Sequence, residues 1–479
     1  MRRRSRFVVA CAGIASLAVV VQLGSGAFAS APHFAYTINT IGSKDGGGEP
    51  SIAIARDHTI YVSGNGDEMN FWRSADNGVT FVRGGVAESP SGDTSLAYDQ
   101  SGAVYQSNLV NDLSSQDVLQ VNVYKSFDKG DTWPQKGTST IEDNSTQQPF
   151  FVDRQWTDAQ IPAGGTTDSA LVYVSYHDWA PSEVWVGKST DGGKTFAEGV
   201  PVINDPVAVA DSYCNTIPGG LKIVRGGPNA GRVYVAWLAG DPANAVTGCN
   251  ETQLQAFHDV WIAYSDDQGA TWTDKLVYDA GPLHDGSEIF ADLSLDNKGN
   301  PYVAFTMNIT DEFDSYVMAS FDGGATWNAG LGGAPYKLNT DTGTHYFPTV
   351  IAGKPGQVDV AWLGTSTVVT STAWGKPNPG DDADADWYLY AGTVRGLNTA
   401  APVSFAQQLT LTPMHHGDIC TLGIFCAAVP GANRDILDFI DIATDSAGRF
   451  HVSYTDDYSG ADLVAANQTG GPTIGAGGH

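Results

Sequence analysis

The chain has 479 residues, 42% hydrophobic and only 16% charged, with 56 Gly; that is a turn-rich folded protein and excludes a disordered one. Its formal net charge of −28 repels phosphate backbones and anionic lipids, which sets nucleic-acid and membrane-surface partners aside. The length exceeds one ordinary core, although closed radial folds reach it as one unit.

The chain opens like an export signal. Arg2, Arg3, Arg4 and Arg6 form a basic start, residues 7–21 an apolar core, and Ala27-Phe28-Ala29 a small-x-small cleavage site. Residues 1–29 are therefore read as a signal peptide, and the mature protein as soluble and secreted. Losing four Arg and no acid takes the net charge to −32. Cys11 leaves with the signal. Cys214 with Cys249, and Cys420 with Cys426, are expected as disulfides within two long insertions.

An eight-residue pattern follows, written five times. Ser74-Ala75-Asp76-Asn77-Gly78-Val79-Thr80-Phe81 reads Ser-x-Asp-x-Gly-x-Thr-aromatic, and it returns at residues 126–133, 189–196, 265–272 and 320–327. Each copy predicts a self-contained hairpin. The Asp accepts N–H groups of its own turn, the Gly supplies positive φ, and the ring packs between sheets. Repeats at this spacing mean a radial or solenoid architecture.

Upstream of each copy the same alternating strands appear. Inner strands are expected at residues 50–54, 95–98, 293–295, 349–351 and 439–443, with further units opening near residues 153–156 and 212–214. That makes seven units, and the seventh lacks a fourth strand. Residues 33–38 are strand-like and otherwise homeless, so they are expected to supply it and close the ring. The Gly-rich end, residues 469–479, reads as a disordered tail.

The repeat is that of the Asp-box, and the chain resembles the sialidase-like β-propellers that carry it. The resemblance implies an all-β propeller of four-stranded blades over residues 30–468, seven-bladed by the unit count, with six, the sialidase number, as the alternative. It also implies that the Asp-boxes lie at the outer edge, away from the mouth where inner strands begin.

The residues at that mouth are polar in nearly every unit: Glu49, Asp93, Asp153 with Arg154, Asp211, Glu288, His345 with Tyr346, and Asp438. The loops joining second to third strands add Asp67, Glu68, Asp112, His177-Asp178-Trp179, Asp311-Glu312 and Asp456-Asp457. Carboxylates with aromatics at one rim suit sugar chemistry, acids acting at the anomeric centre and ring faces stacking on the sugar. The catalytic candidates are Asp67, Asp178, Glu288 and Tyr346. Glu49, Asp153, Arg154, Trp179, His345 and Asp438 are the substrate-binding candidates.

Sialidases grip a substrate carboxylate with three arginines, the first in an Arg-Ile-Pro motif opening the first inner strand. Here that place reads Gly48-Glu49-Pro50-Ser51, and of the remaining arginines only Arg154 and Arg434 fall near inner-strand starts. Arg225, Arg232 and Arg449 sit in turns and read as solvated. The resemblance and the mouth residues together imply a sialidase-like glycoside hydrolase acting from the mouth, a monomer whose partner is an extracellular glycan that is neutral or differently charged. A non-catalytic propeller binding glycan or protein on the same face is the alternative. His415-His416-Gly417-Asp418 holds metal-ligating residue types without a second group at a recognised spacing, so no metal site is read there. No cofactor is expected, with Ca²⁺ on the acidic loop 381–386 the alternative.

Overall fold

The computed structural model describes residues 32–42, 48–65, 70–87, 92–110, 120–139, 152–178, 183–213, 216–240, 257–281, 283–286, 289–310, 312–370, 380–421, 426, 432–458, 460 and 462–475. These form seven antiparallel blades in a ring. The inner strands run Ser51–Ile54, Thr94–Tyr98, Val152–Gln160, Thr216–Ile223, Asp292–Leu295, Thr344–Ala352 and Asp441–Thr444, blades 1 to 7 in chain order. Blades 1 to 6 each add three more strands outward in sequence.

Blade 7 is completed from the other end of the chain. Its outermost strand is Ala35–Gly42, which pairs antiparallel with Asp462–Gly470, Ile38 opposite Ala466. The expected closure is present, and it covers an edge that would otherwise expose a row of unpaired backbone groups. Residues 471–475, assigned to the tail by composition, dock as well: Ile474 is fully buried, and its carbonyl accepts from Lys354 N.

One unit begins later than its sequence suggests. Residues 206–212 form a helix, Pro206–Ser212, capped by the Asp205 carboxylate on Val207 N, and blade 4 starts at Thr216. Pro at the first helical position and Asp before it favour this local choice over a strand.

Antiparallel blades put the ends of third strands opposite the starts of inner strands, so the five repeated turns line one edge and the mouth the other. All five turns share one geometry. The Ser hydroxyl donates to Asp Oδ1 at 2.7–2.8 Å and accepts the Gly N–H at 2.7–2.9 Å. The Thr N–H and hydroxyl bind the two Asp oxygens at 2.9 Å and 2.6–2.7 Å. The closing ring then packs on the preceding blade: Trp133 lies edge-on to Phe71 at 5.1 Å and donates to Gly85 O.

Inner strands of neighbouring blades splay too far apart for a ladder, and their inward N–H groups need other acceptors. Side chains of the preceding blade supply them. Asp441 takes Ile52 N, Ser51 takes Leu96 N, Ser95 takes Thr157 N, Asp158 takes Ile223 N, and Asp292 takes Val350 N, all at 2.7–3.1 Å. Between blades 4 and 5 the backbones meet directly, Gly220 N to Ala291 O at 3.4 Å. Gly219 makes room for that approach, since a Cβ there would stand 1.9 Å from Ala291 O. The ring is thus stitched from inside, and the channel's Asp residues are structural acceptors. Arg225, which its turn position suggested was solvated, instead donates to Asp158 Oδ1 at 2.6 Å, both side chains largely buried. Among the described residues no helix is long and apolar enough to cross a membrane.

Candidate functional site

The chain enters its inner strands through strained backbone. Glu49, Arg154, Phe290, Phe347 and Leu437 have φ of 50°, 37°, 68°, 54° and 58°, a region that side-chain-bearing residues rarely adopt. Each such residue costs about 1–3 kcal/mol, and five at one rim concentrate strain where side chains are being aimed into the mouth. In blades 3, 4 and 6 the register also slips there, between Asp153 and Gln155, Pro218 and Leu221, and Tyr346 and Thr349.

One half of the mouth is charged. Glu49 of blade 1 is 3% exposed and Asp438, just before blade 7, 5%. Arg434 bridges them, bonded to the Asp438 carboxylate and 3.6 Å from Glu49 Oε1. Asp93 of blade 2 is half-buried beside Glu49 and accepts from Asn65 Nδ2 at 3.2 Å. Desolvation, then the charges of Asp93 and Asp438, push the Glu49 carboxyl well above the usual carboxylate range, and Arg154 offsets only part of this. Glu49 Oε2 is buried with no N–H or O–H donor among the described residues. A protonated Glu49 can donate where an ionised one finds no donor. Asp438 is also raised, first by burial, with Arg434 opposing the shift.

The other half is aromatic. Phe290, Phe347 and Phe439 from blades 5, 6 and 7, with Trp156 of blade 3, line a cavity of about 60 Å³ that runs down to Asp292, Asp441 and Lys222. Arg154 reaches across this space. Its guanidinium lies 4.0 Å from the Phe439 ring centroid, 4.6 Å from Trp156 and 5.9 Å from Phe290, and Nη1 donates to Thr94 O at 3.2 Å. A desolvated cation on such rings contributes about 2 kcal/mol, so Arg154 forms a fixed floor.

Three of the substrate-binding candidates, Glu49, Arg154 and Asp438, are therefore brought together, with Asp93 and Arg434 completing the cluster. His345 is fully buried between blades 5 and 6, its Nε2 3.3 Å from Asp341 Oδ1. Tyr346 is 1% exposed, stacked on Trp387 at 5.1 Å and edge-on to Phe313. The register slip after Tyr346 turns Phe347 and Pro348 to the cavity instead. Asp153 and Asp178 are paired with His177 and Val152 at the rim of blade 3, and their side chains lie outside the described residues. So do Asp67, Trp179 and Glu288, and Cys214 and Cys249. Cys420 and Cys426 are bonded, with Cα atoms 6.0 Å apart.

Polar residues at strand starts do not point to the aromatic half. Its signal is present in the sequence, a Phe two residues ahead of Asp292, Thr349 and Asp441. Among the described residues no group of three His, Cys, Asp or Glu is placed to hold a metal ion. In the acidic loop Asp381 accepts the N–H and hydroxyl of Thr370, and Asp386 faces His416.

Neither the protein-family models nor the curated proteins include a match to this sequence. Solved structures do match. An ulvan lyase, a polysaccharide lyase, superposes with a TM-score of 0.51 at 12% identity, over 92% of this chain and 97% of that one. A leech intramolecular trans-sialidase matches at 0.43 and 14%, over 93% and 71%. A microbial sialidase termed Hadza Hz136 matches at 0.43 and 12%, over 84% and 74%. The ulvan lyase likeness is one of fold.

Proposed function

We propose that this protein is a secreted, carbohydrate-active enzyme, a glycoside hydrolase that works on extracellular glycans from the channel mouth. The observation that carries the reading is the Glu49–Asp93 pair. A buried carboxyl held well above the usual carboxylate range, beside a more exposed one, is the arrangement a general acid needs to protonate a leaving oxygen. Arg434 and Asp438 hold the field around it, and the Arg154–Phe439–Trp156 floor offers a flat face for a sugar ring.

Glycosidases place their two carboxyl groups about 5–10 Å apart. Glu49, Asp93 and Asp438 are in closer contact than that, so in this reading they act as one proton-holding group. The second carboxylate comes from the facing rim, where Asp67, Asp178 and Glu288 are the candidates. Both mouth arginines are engaged, one with carboxylates and one with rings, and this favours a neutral sugar over a sialoside at the reacting position. The ulvan lyase likeness makes elimination on a uronate the reaction to test beside hydrolysis.

The experiment is release of sugar from a sialoside, neutral glycans and a uronate polysaccharide, with the ultraviolet absorbance of an unsaturated end marking elimination. Asp67→Ala, Asp178→Ala and Glu288→Ala accompany Glu49→Gln. Turnover of a neutral glycan that Glu49→Gln removes is the expected result. Silence on every substrate, with retained glycan binding, would transfer the site to a non-catalytic binding propeller.

A further inference from the structure

Arg434 and Asp438 reach the mouth on a segment that is anchored elsewhere. Residues 414–421 lie against blade 6, where His415 and His416 pair with Trp387 and Asp386 on the third strand, Asp386–Arg395. Met414 N and Gly417 N donate to Trp387 O and Ala385 O, and Met414 O accepts from Asp457 N of blade 7. The described pieces then join directly: Cys420 N donates to Asn433 O at 3.0 Å, and Asn433 N to Asp418 Oδ2 at 3.4 Å. Arg434 is the next residue.

At the centre of this anchor His415 is fully buried. Its Nδ1 lies 2.8 and 2.9 Å from the two Asp457 oxygens, and its Nε2 lies 3.1 Å from Asp418 O. A carboxylate and a carbonyl both accept, so both ring nitrogens must donate, which only an imidazolium does. The charged and titratable groups on the elements packed around it are Asp457 from blade 7, Asp386 with the exposed His416 from blade 6, Asp382 ahead of that strand, and Asp418 and Asp435 of the segment itself. All but His416 are acids. Asp382 makes a second such contact, accepting Ile419 N while lying against Asp418.

We propose that His415, as an imidazolium between Asp457 and the Asp418 carbonyl, is the positioning residue that holds residues 414–421 and, through Asn433, residues 432–438, so that Arg434 and Asp438 stand at the mouth. The functional consequence rests on the reading of that mouth as an active site; the anchoring itself does not. Neutral His415 can serve only one of its two acceptors and leaves the other buried without a donor. The directions agree. His415 is raised above its ordinary value: burial opposes the charge, but the Asp457 contact outweighs it. Its stabilisation is complete below about pH 6.5 and is lost as pH rises through the raised value. Burial, then the Asp418 contact, push Asp382 up to about 8, so its ionisation penalises the fold increasingly as pH rises toward that value. Raising pH therefore removes the second donor of His415 and sets Asp382 and Asp418 against each other as like charges, both effects falling on one segment.

Hydrogen exchange of the whole protein at pH about 6 and about 9, corrected for intrinsic rates, tests this. The amides of Met414, Gly417, Ile419 and Cys420 should lose at least about tenfold protection at the higher pH, while those of the second strand of blade 4, Val233–Ala239, hold. His415→Gln should show the lowered protection at both pH values, and His416→Gln, on an exposed side chain, should behave as wild type. Equal protection of these amides at both pH values in the wild type overturns the proposal, and that arm needs no variant to fold. If protection falls as expected but no glycan is turned over at either pH, the anchor stands and the enzymatic reading of the mouth fails.

Discussion

The two ends of the blades use carboxylates in opposite ways. At the repeated turns each Asp has its oxygens filled by the hydroxyl and N–H of its own Thr and by Ser. The Thr contacts lead in holding Asp76, Asp128 and Asp267 down to about 2. At the mouth Glu49 is buried against other carboxyls, with an oxygen that no donor among the described residues reaches, and burial pushes its carboxyl up. A carboxylate fully satisfied within eight residues makes a fold, and it is written five times. The strained and under-satisfied cluster is assembled once, from blades 1, 2, 3 and 7. Repetition marks structure here, and chemistry is sought where repetition stops.

The largest perturbation tests what both ends depend on, closure of the ring. Deleting residues 30–43 removes the strand paired with Asp462–Gly470 and should abolish soluble expression; a monomeric deletion mutant with native circular dichroism would refute the closure. Next, Gly130→Ala at a repeated turn places a Cβ 2.0 Å from the Phe71 ring at φ +83°, and urea unfolding should show a loss of about 3 kcal/mol or more. Asp128→Asn at the same turn weakens its contacts to Thr132 and should lower stability by about 1 kcal/mol. Turnover should be unaffected by it.

At the mouth the sign reverses. Glu49→Gln removes an acid whose ionisation is opposed by burial, so its melting temperature should equal or exceed that of wild type, with the gain growing as pH rises above about 4.5. A melting temperature below wild type at pH about 8 would mean that Glu49 is ionised and paired, contrary to a carboxyl raised by burial.

The sequence carries the fold almost completely, because the repeated Ser, Asp, Gly and Thr make bonds within their own turn. The closing strand was legible for a similar reason: a fourth strand was missing at one end and spare at the other. Glu49, Arg154 and Asp438 were legible as polar residues at inner-strand starts. What their spacing could not reveal is the direction of each side chain, since one left-handed residue sends Phe347 to the cavity and leaves Tyr346 in the core. Nor could it reveal Arg154 crossing to rings of blades 5 and 7, a contact between residues 136 and 285 positions apart in sequence. The stitching by Ser51, Ser95, Asp158, Asp292 and Asp441 is hidden too, because each reaches the next blade, the Asp residues while also accepting the N–H of the residue after them.

The most direct measurement is glycan turnover by wild type, Glu49→Gln and Asp128→Asn, all shown to be folded. The account predicts that wild type and Asp128→Asn turn over the same substrate alike. Glu49→Gln should fall by about 10²- to 10⁴-fold, the usual worth of a positioned acid. A fully active Glu49→Gln, or a folded Asp128→Asn that has lost turnover, would contradict the division between the two ends of the blades.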